Sequence, residues 1–288
     1  MTNDHMFTRR RMLMAGAAVV GASGAAGVAA LLGGETTPGP GPGPTTPAPG
    51  RRPAAGSQTR GRVKPSAYRL QPITGYGPPP RARSRTLVRH EPFLRVSGMG
   101  RAMVLTFDDG PDRRYTPDIL RTLRKYDVRA MFFVCGVMAA ANKELLRQMT
   151  DEGHIVGNHT WSHPLLPGMS RSAIRSQMER TSEVVEEANG EAPRWFRAPY
   201  GAWNSTVFRI GAELGMEPLG WTLDTLDWTR PGTSTIARRV ERQAGSGVVV
   251  LSHDAGGNRS QSVRALRTYL PELLDAGYHI TVPRRKLA

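Results

Sequence analysis

Two short stretches hold most of the side chains that could do chemistry. Asn158-His-Thr-Trp-Ser-His-Pro164 sets two of the chain's seven histidines four apart, and Asp108-Asp109 runs straight into Gly110-Pro111. One helical turn between His159 and His163 would project both imidazoles the same way, which is what a metal ion needs. Neighbouring residues of a strand point to opposite sides. Asp108 and Asp109 therefore do not read as the paired acids of a glycosidase, which stand roughly 5–10 Å apart across one bond. One can instead bind a metal while the other reaches the coordination position left open. Asp109, His159 and His163 then make a two-histidine, one-carboxylate set with room for water, suited to zinc or to iron, cobalt or manganese. Taken singly, the aspartates also read as a turn and the histidines as a helix cap.

The elements that must position these groups begin near residue 100. Apolar strand runs at Ala102–Phe107, Met131–Val134, His154–Gly157, Trp195–Phe196, Leu219–Trp221, Val248–Leu251 and His279–Val282 alternate with helical periods. Helices are expected near 117–126, 139–152, 171–188, 204–214, 233–244 and 261–275. This alternation predicts an α/β fold with a parallel sheet, enough units long to curl into a distorted or incomplete (β/α) barrel. Such barrels carry their chemistry at the C-terminal ends of the strands. The unusual polar residues fall there: Asp108-Asp109, then His159 and His163, Arg197, Asp224 and Asp227, and His253. Alignment on one rim is what scattered turn and cap residues would not produce.

Charge and composition divide the chain. Residues 1–100 hold 14 Lys+Arg against 3 Asp+Glu, and the remaining 188 hold 25 against 21, so most of the net +15 is N-terminal. A nucleic-acid-binding domain would spread that charge over a folded face; here it lies in Pro/Gly/Ser-rich sequence, and nucleic acid is not expected as a partner. Arg9-Arg10-Arg11 precede a charge-free, Ala/Gly-rich run to Gly34, the pattern of a secretory signal of twin-arginine type. A single-span membrane anchor is the competing reading. Residues 35–90 are expected to be a flexible linker whose arginines could contact anionic wall polymers, and 91–288 the catalytic domain. The lone Cys135, in an apolar run, is expected to be a buried small hydrophobe. Lone His90 and His154 are expected to be structural, and Trp161 and Tyr200 to stack on a sugar or pack the rim.

Five stretches carry a specific resemblance. Thr106-Phe-Asp-Asp-Gly110, His159-Thr-Trp-Ser-His163, Arg197-Ala-Pro-Tyr-Gly201, Asp224-Thr-Leu-Asp-Trp228 and Leu251-Ser-His253 resemble, in order, the motifs of the NodB-homology polysaccharide deacetylases, carbohydrate esterase family 4. No motif position departs from that pattern, and the likeness spans roughly residues 100–285. It implies a metal-dependent N- or O-deacetylase; with the N-terminal signal, the expectation is an exported enzyme, a monomer, acting on N-acetylglucosamine-type polysaccharide such as peptidoglycan or chitin. Acetylxylan esterase activity and a non-catalytic carbohydrate-binding role are the rival readings. The resemblance further implies one divalent ion on Asp109, His159 and His163, with zinc first and cobalt, manganese, iron or nickel as alternatives. It makes Asp108 the general base held by Arg197, and His253 the acid oriented by Asp227. Tyr200 would bind the oxyanion through its backbone N–H, and Leu251 and Trp228 would wall an acetyl pocket.

Overall fold

The computed structural model describes residues 86–98 and 100–283. The signal and all of the linker but its last five residues lie outside the described residues. From Ala102 onward the order is β1 (Ala102–Asp108), α1 (Thr116–Lys125), β2 (Met131–Val134), α2 (Gly136–Ala141), α3 (Lys143–Asp151), β3 (Ile155–Asn158), α4 (Arg171–Asn189), β4 (Trp195–Phe196) and α5 (Ser205–Glu213). It continues with β5 (Glu217–Pro218), β6 (Leu223–Asp224), α6 (Thr233–Gln243), β7 (Val249–His253), α7 (Ser260–Asp275) and β8 (His279–Ile280). Every strand pair is parallel, in the spatial order β5-β4-β3-β2-β1-β7-β6, with β8 against the start of β1. The expected distorted barrel is therefore present. Among the described residues no helix is long and apolar enough to cross a membrane.

Period-two alternation sorts each strand into two faces. Met103, Leu105 and Phe107 of β1, with Phe132, Val134 and Val250, join the cluster made by the apolar faces of α1, α3, α6 and α7. Val104, Met131, Phe133, Trp195 and Val249 form a second cluster on the opposite, inner face. Each such large apolar residue contributes roughly 1.5–3 kcal/mol by leaving water. Following the same alternation upward, the inner face delivers Asp108, Arg197, Leu251 and His253 to one rim. The register holds them level, since Asp108 pairs with both Phe133 and His253.

Two expectations need correction. The helix near 139–152 is two helices, because Asn142 breaks it at φ −140° and ψ 46°. Its carboxamide donates to the carbonyls of Pro111 and Met138 and accepts from Arg113, tying the break to the Asp108–Pro111 turn. The strand expected at Leu219–Trp221 is a crossover between β5 and β6. Its N–H groups are used by Phe196 and Phe93, and the carbonyls of Leu219 and Gly220 accept from the Arg197 side chain. β5 and β6 end the strand path without pairing each other. Residues 93–96 close the base of that gap, with bonds from Phe93 N to Pro218 O and from Val96 N to Gly247 O.

Gly157 shows how tightly the inner face is filled. A Cβ there would lie 2.7 Å from the Phe133 ring and 3.2 Å from the carbonyl oxygen of Trp195. Gly157→Ala is expected to lower stability by about 1–3 kcal/mol, the usual cost of overpacking, read as a fall in the urea midpoint; an unchanged midpoint would show the rim to be slack.

Candidate active site and metal centre

β1 ends at Asp108, which is 2 % exposed and points inward. Asp109 then takes φ 77°, and this left-handed step turns its carboxylate back toward the cavity that Asp108 faces. The opposed orientation expected of strand neighbours is undone by one backbone torsion. The histidine stretch behaves similarly. His159 continues β3, but no helical turn follows: Thr160 has φ 70° and His163 φ 59°, and these two torsions bring the rings together, 4.9 Å apart.

The three groups converge. Asp109 Oδ1 lies 3.6 Å from His159 Nε2 and 3.4 Å from His163 Nε2, and one ligand atom from each residue falls within 4.8 Å of the others. Asp109 Oδ1 is buried with no hydrogen-bond partner, a costly condition for a carboxylate unless a cation shares the space. Nδ1 of His159 is 2.8 Å from the carbonyl oxygen of Arg197; donating there leaves the Nε2 lone pair free to ligate. Burial, then the neighbouring His163 and Arg197 charges, pull His159 down to about 3 despite Asp109, so it is the neutral ligand a metal requires. The residues fit a divalent ion.

Arg197 fills the barrel interior and is fully buried. Its guanidinium donates to Asp108 Oδ1 and Thr106 Oγ1, both at 2.7 Å, and to the carbonyls of Leu219 and Gly220 at 3.1 and 2.8 Å. It also lies over the Phe133 ring, 4.2 Å from the centroid. Burial raises the Asp108 carboxyl above its ordinary value, and Arg197, His253 and His163 only partly oppose it. Arg197 thus keeps a buried carboxylate affordable without making it a weak base.

Across the cavity His253 Nδ1 is 2.7 Å from Asp227 Oδ1, while Asp227 Oδ2 accepts from the His253 backbone N–H and from Ser262 Oγ. Burial works against the imidazolium, but the bond and charge of Asp227, with the charges of Asp108 and Asp109, outweigh it and raise His253 to about 9. Burial alone would raise Asp227 too; the bonds from His253 and Ser262 hold it below its usual range. Each partner therefore favours the ionised form of the other.

Asp108, Asp109, His159, His163 and His253 line one cavity of about 360 Å³, with Ala198, Trp221, Asp224, Leu251 and Arg259 in its wall, while Arg197 and Asp227 back it through their bonds to Asp108 and His253. Tyr200 and Trp228 stand on its lip, 68 % and 52 % exposed, and Tyr200 packs edge-on against the His163 ring at 4.5 Å. All ten site residues expected from sequence are brought together. Trp161 is not among the cavity residues: Arg180 covers one ring at 3.9 Å and Gly136 leaves room for its edge. Cys135 and His154 are buried as expected, and His90 is exposed. Burial lowers His154 to about 4, and its Nδ1 accepts from Ala130 N.

Several positioning residues were not legible beforehand. Ser262 and Arg259 sit in unremarkable sequence. Asp254 lies under the Gly110 turn, where any Cβ would overlap its carboxylate, and burial lifts it to about 7. Gln177 had a signal: it shares the apolar face of α4 with Ile174, Met178 and Thr181, and a lone amide on such a face asks for a partner. Its Oε1 accepts from the N–H groups of both Trp161 and Ser162 at 2.9 Å, holding the loop that carries His163. Gln177→Leu is expected to weaken zinc affinity about tenfold or more, read by competition with a chromophoric chelator. Gln177→Glu, which keeps the acceptor, should retain affinity; equal affinity in the leucine variant would contradict the assignment.

The pattern of the family described as "Polysaccharide deacetylase" matches residues 96–219, a stretch that contains Asp108, Asp109, His159, His163 and Arg197. A chitooligosaccharide deacetylase of Bradyrhizobium sp. (strain ANU 289) is 38% identical over 197 residues, covering 64% of this chain and 90% of that protein. A peptidoglycan-N-acetylglucosamine deacetylase of Bacillus cereus is 39% identical over 178 residues, covering 61% and 83%. Among solved structures, a CE4 family pseudoenzyme from Bacillus anthracis superposes with a TM-score of 0.63 at 32% identity, covering 67% of each chain. Motifs, barrel and relatives agree, and this chain belongs to the NodB-homology polysaccharide deacetylases, carbohydrate esterase family 4.

Proposed function

We propose that the chain is a metal-dependent hydrolase that removes acetyl groups from N-acetylated sugars of a polysaccharide, with peptidoglycan or chitin-type chains as substrates. The observation that carries this reading is that one small cavity brings together a buried carboxylate, Asp108, and a histidine paired to Asp227, beside the buried Asp109 Oδ1, which has no hydrogen-bond partner and faces two imidazole nitrogens. A family likeness alone would not suffice, since a structural relative is described as a pseudoenzyme; here Asp108, Asp109, His159, His163 and His253 line the cavity, and Arg197 and Asp227 bond to the first and last of them.

A divalent ion on Asp109, His159 and His163, zinc being the first candidate for this donor set, would polarise the acetyl oxygen and acidify the attacking water. The chain's own residues do the rest. Asp108 accepts the proton of that water, and its raised pKa makes it a better base than an ordinary aspartate. Tyr200 lies in the first turn of a short 3₁₀ segment, where backbone N–H groups lack an intrahelical acceptor, and so can hold the developing oxyanion. His253 gives its proton to the leaving nitrogen while Asp227 stabilises the charge it carries beforehand. Leu251 and Trp228 wall the acetyl methyl. A His253 held as imidazolium by its bond to Asp227 suits an amine, which leaves poorly unprotonated, and so supports N-deacetylation.

Acetate release from N-acetylglucosamine oligomers, peptidoglycan and acetylxylan, assayed side by side, tests the reading. Chelation should abolish release and divalent metal restore it, and Asp108→Asn should lower kcat by about 10²–10⁴-fold while still binding metal. Release that ignores chelator, or full turnover in Asp108→Asn, would sink it. The pH profile adds an independent check. His253 is raised, so its protonated form and the stability it lends are complete below 6.5 and lost as pH climbs through about 9. In Asp227→Asn burial is no longer outweighed, and the alkaline limb of kcat should move to lower pH; an unmoved limb would assign it to another group.

A further inference from the structure

A second cavity, of about 320 Å³, is lined by Thr229, Arg230, Asn258, Ser260 and Gln261. It abuts the catalytic cavity along two chain segments. Trp228 lines the first cavity and Thr229-Arg230 the second; Arg259 lines the first and its neighbours Asn258 and Ser260 the second. A polymer bound with one sugar at the catalytic groups therefore has this cavity beside it.

The hydrogen-bond ledger of the second cavity is one-sided. The Asn258 carboxamide oxygen accepts from Ser260 N, and the Gln261 carboxamide oxygen accepts from Gly232 N. Because a backbone N–H must meet the oxygen, both amide orientations are settled, which leaves the N–H donors of each side chain uncommitted, while Thr229 gives its hydroxyl hydrogen to the Leu226 carbonyl. Arg230 is exposed and pairs with no carboxylate among the described residues. No acidic residue lines the cavity. Two uncommitted amide donors beside one cation, with no carboxylate in the lining, favour an anion.

We propose that this cavity is a subsite for the carboxylate of a sugar neighbouring the one being deacetylated, with Arg230 as the recognising cation. The inference rests on the deacetylase reading and deepens it: the preferred polymer alternates N-acetyl sugars with carboxylate-bearing ones, as peptidoglycan strands do once their stem peptides have been removed, and a neutral N-acetylglucosamine homopolymer leaves the subsite unused. Arg230 acts on specificity and touches none of the reacting atoms.

The test uses soluble peptidoglycan glycan strands freed of their stem peptides, the same strands with their carboxylates converted to amides, and neutral N-acetylglucosamine oligomers. Calorimetric dissociation constants are taken with chelator present so that turnover does not intervene. Amidation should weaken binding to the wild-type protein about three- to tenfold. Arg230→Asn, which suits the left-handed backbone at this position (φ 56°), should weaken binding of the unmodified strands by a similar factor and make amidation nearly silent. Arg230→Lys should restore part of the discrimination. Equal amidation effects in wild type and Arg230→Asn, or no preference for carboxylate strands in the wild type, would overturn the subsite. Acetate release by metal-loaded protein is read separately: its failure on every polymer would remove the deacetylase reading, while the binding data still decide the role of Arg230.

Discussion

The site depends on one buried ion pair. Arg197 and Asp108 are both withdrawn from water, and such a pair is tolerable only when the remaining donors are satisfied. They are: Thr106 and the carbonyls of Leu219 and Gly220 take the other guanidinium hydrogens. The consequence reaches the fold itself. Residues 219–220 give their carbonyls to Arg197 instead of to β6; β5 and β6 stay apart, and the barrel remains open at that seam. Residues 93–96 then close the base of the gap. The irregularity of the barrel is the structural expression of holding a base inside it.

Around that pair, environment alone assigns protonation states. His159 and His253 are the same side chain a few ångströms from the same carboxylates, yet one is driven to about 3 and the other to about 9. The difference is the partner of Nδ1. His159 meets a backbone carbonyl, which gives burial the upper hand; His253 meets a carboxylate that Ser262 further anchors. The first ring can ligate and the second can donate a proton. Asp108, raised by burial, sits between them as the acceptor. Groups whose environments push them apart in this way are the mark of an acid/base site.

The rim also stores backbone strain. Apart from Asp127, the non-glycine residues with positive φ among the described residues are Asp109, Thr160, His163, Tyr200, Leu226 and Arg230, all on the loops around the two cavities. Each costs of the order of 1–3 kcal/mol and persists because rigid neighbours hold it: Gln177 beneath the histidine loop, Asp227 and Ser262 beneath the Trp228 turn. Gln177 and Ser262 belong to helices α4 and α7, which contribute little to the chemistry directly.

Much of this was legible in the residue order. Period-two runs and helical spacing determined the strands, the parallel alternation and the rim on which Asp108, Arg197 and His253 emerge, because burial demands that pattern of any chain. The ends of α4 and the start of α5 coincide with the caps Ser170, Gly190 and Asn204. Tertiary structure alone decided the rest. That Asp109 turns inward, that His159 and His163 meet without a helical turn, that 219–221 is not a strand, and that Asn258 and Gln261 face a cavity as donors all depend on long-range contacts. Torsions and carbonyl loyalties of that kind are settled by partners distant in sequence, which local periodicity cannot encode.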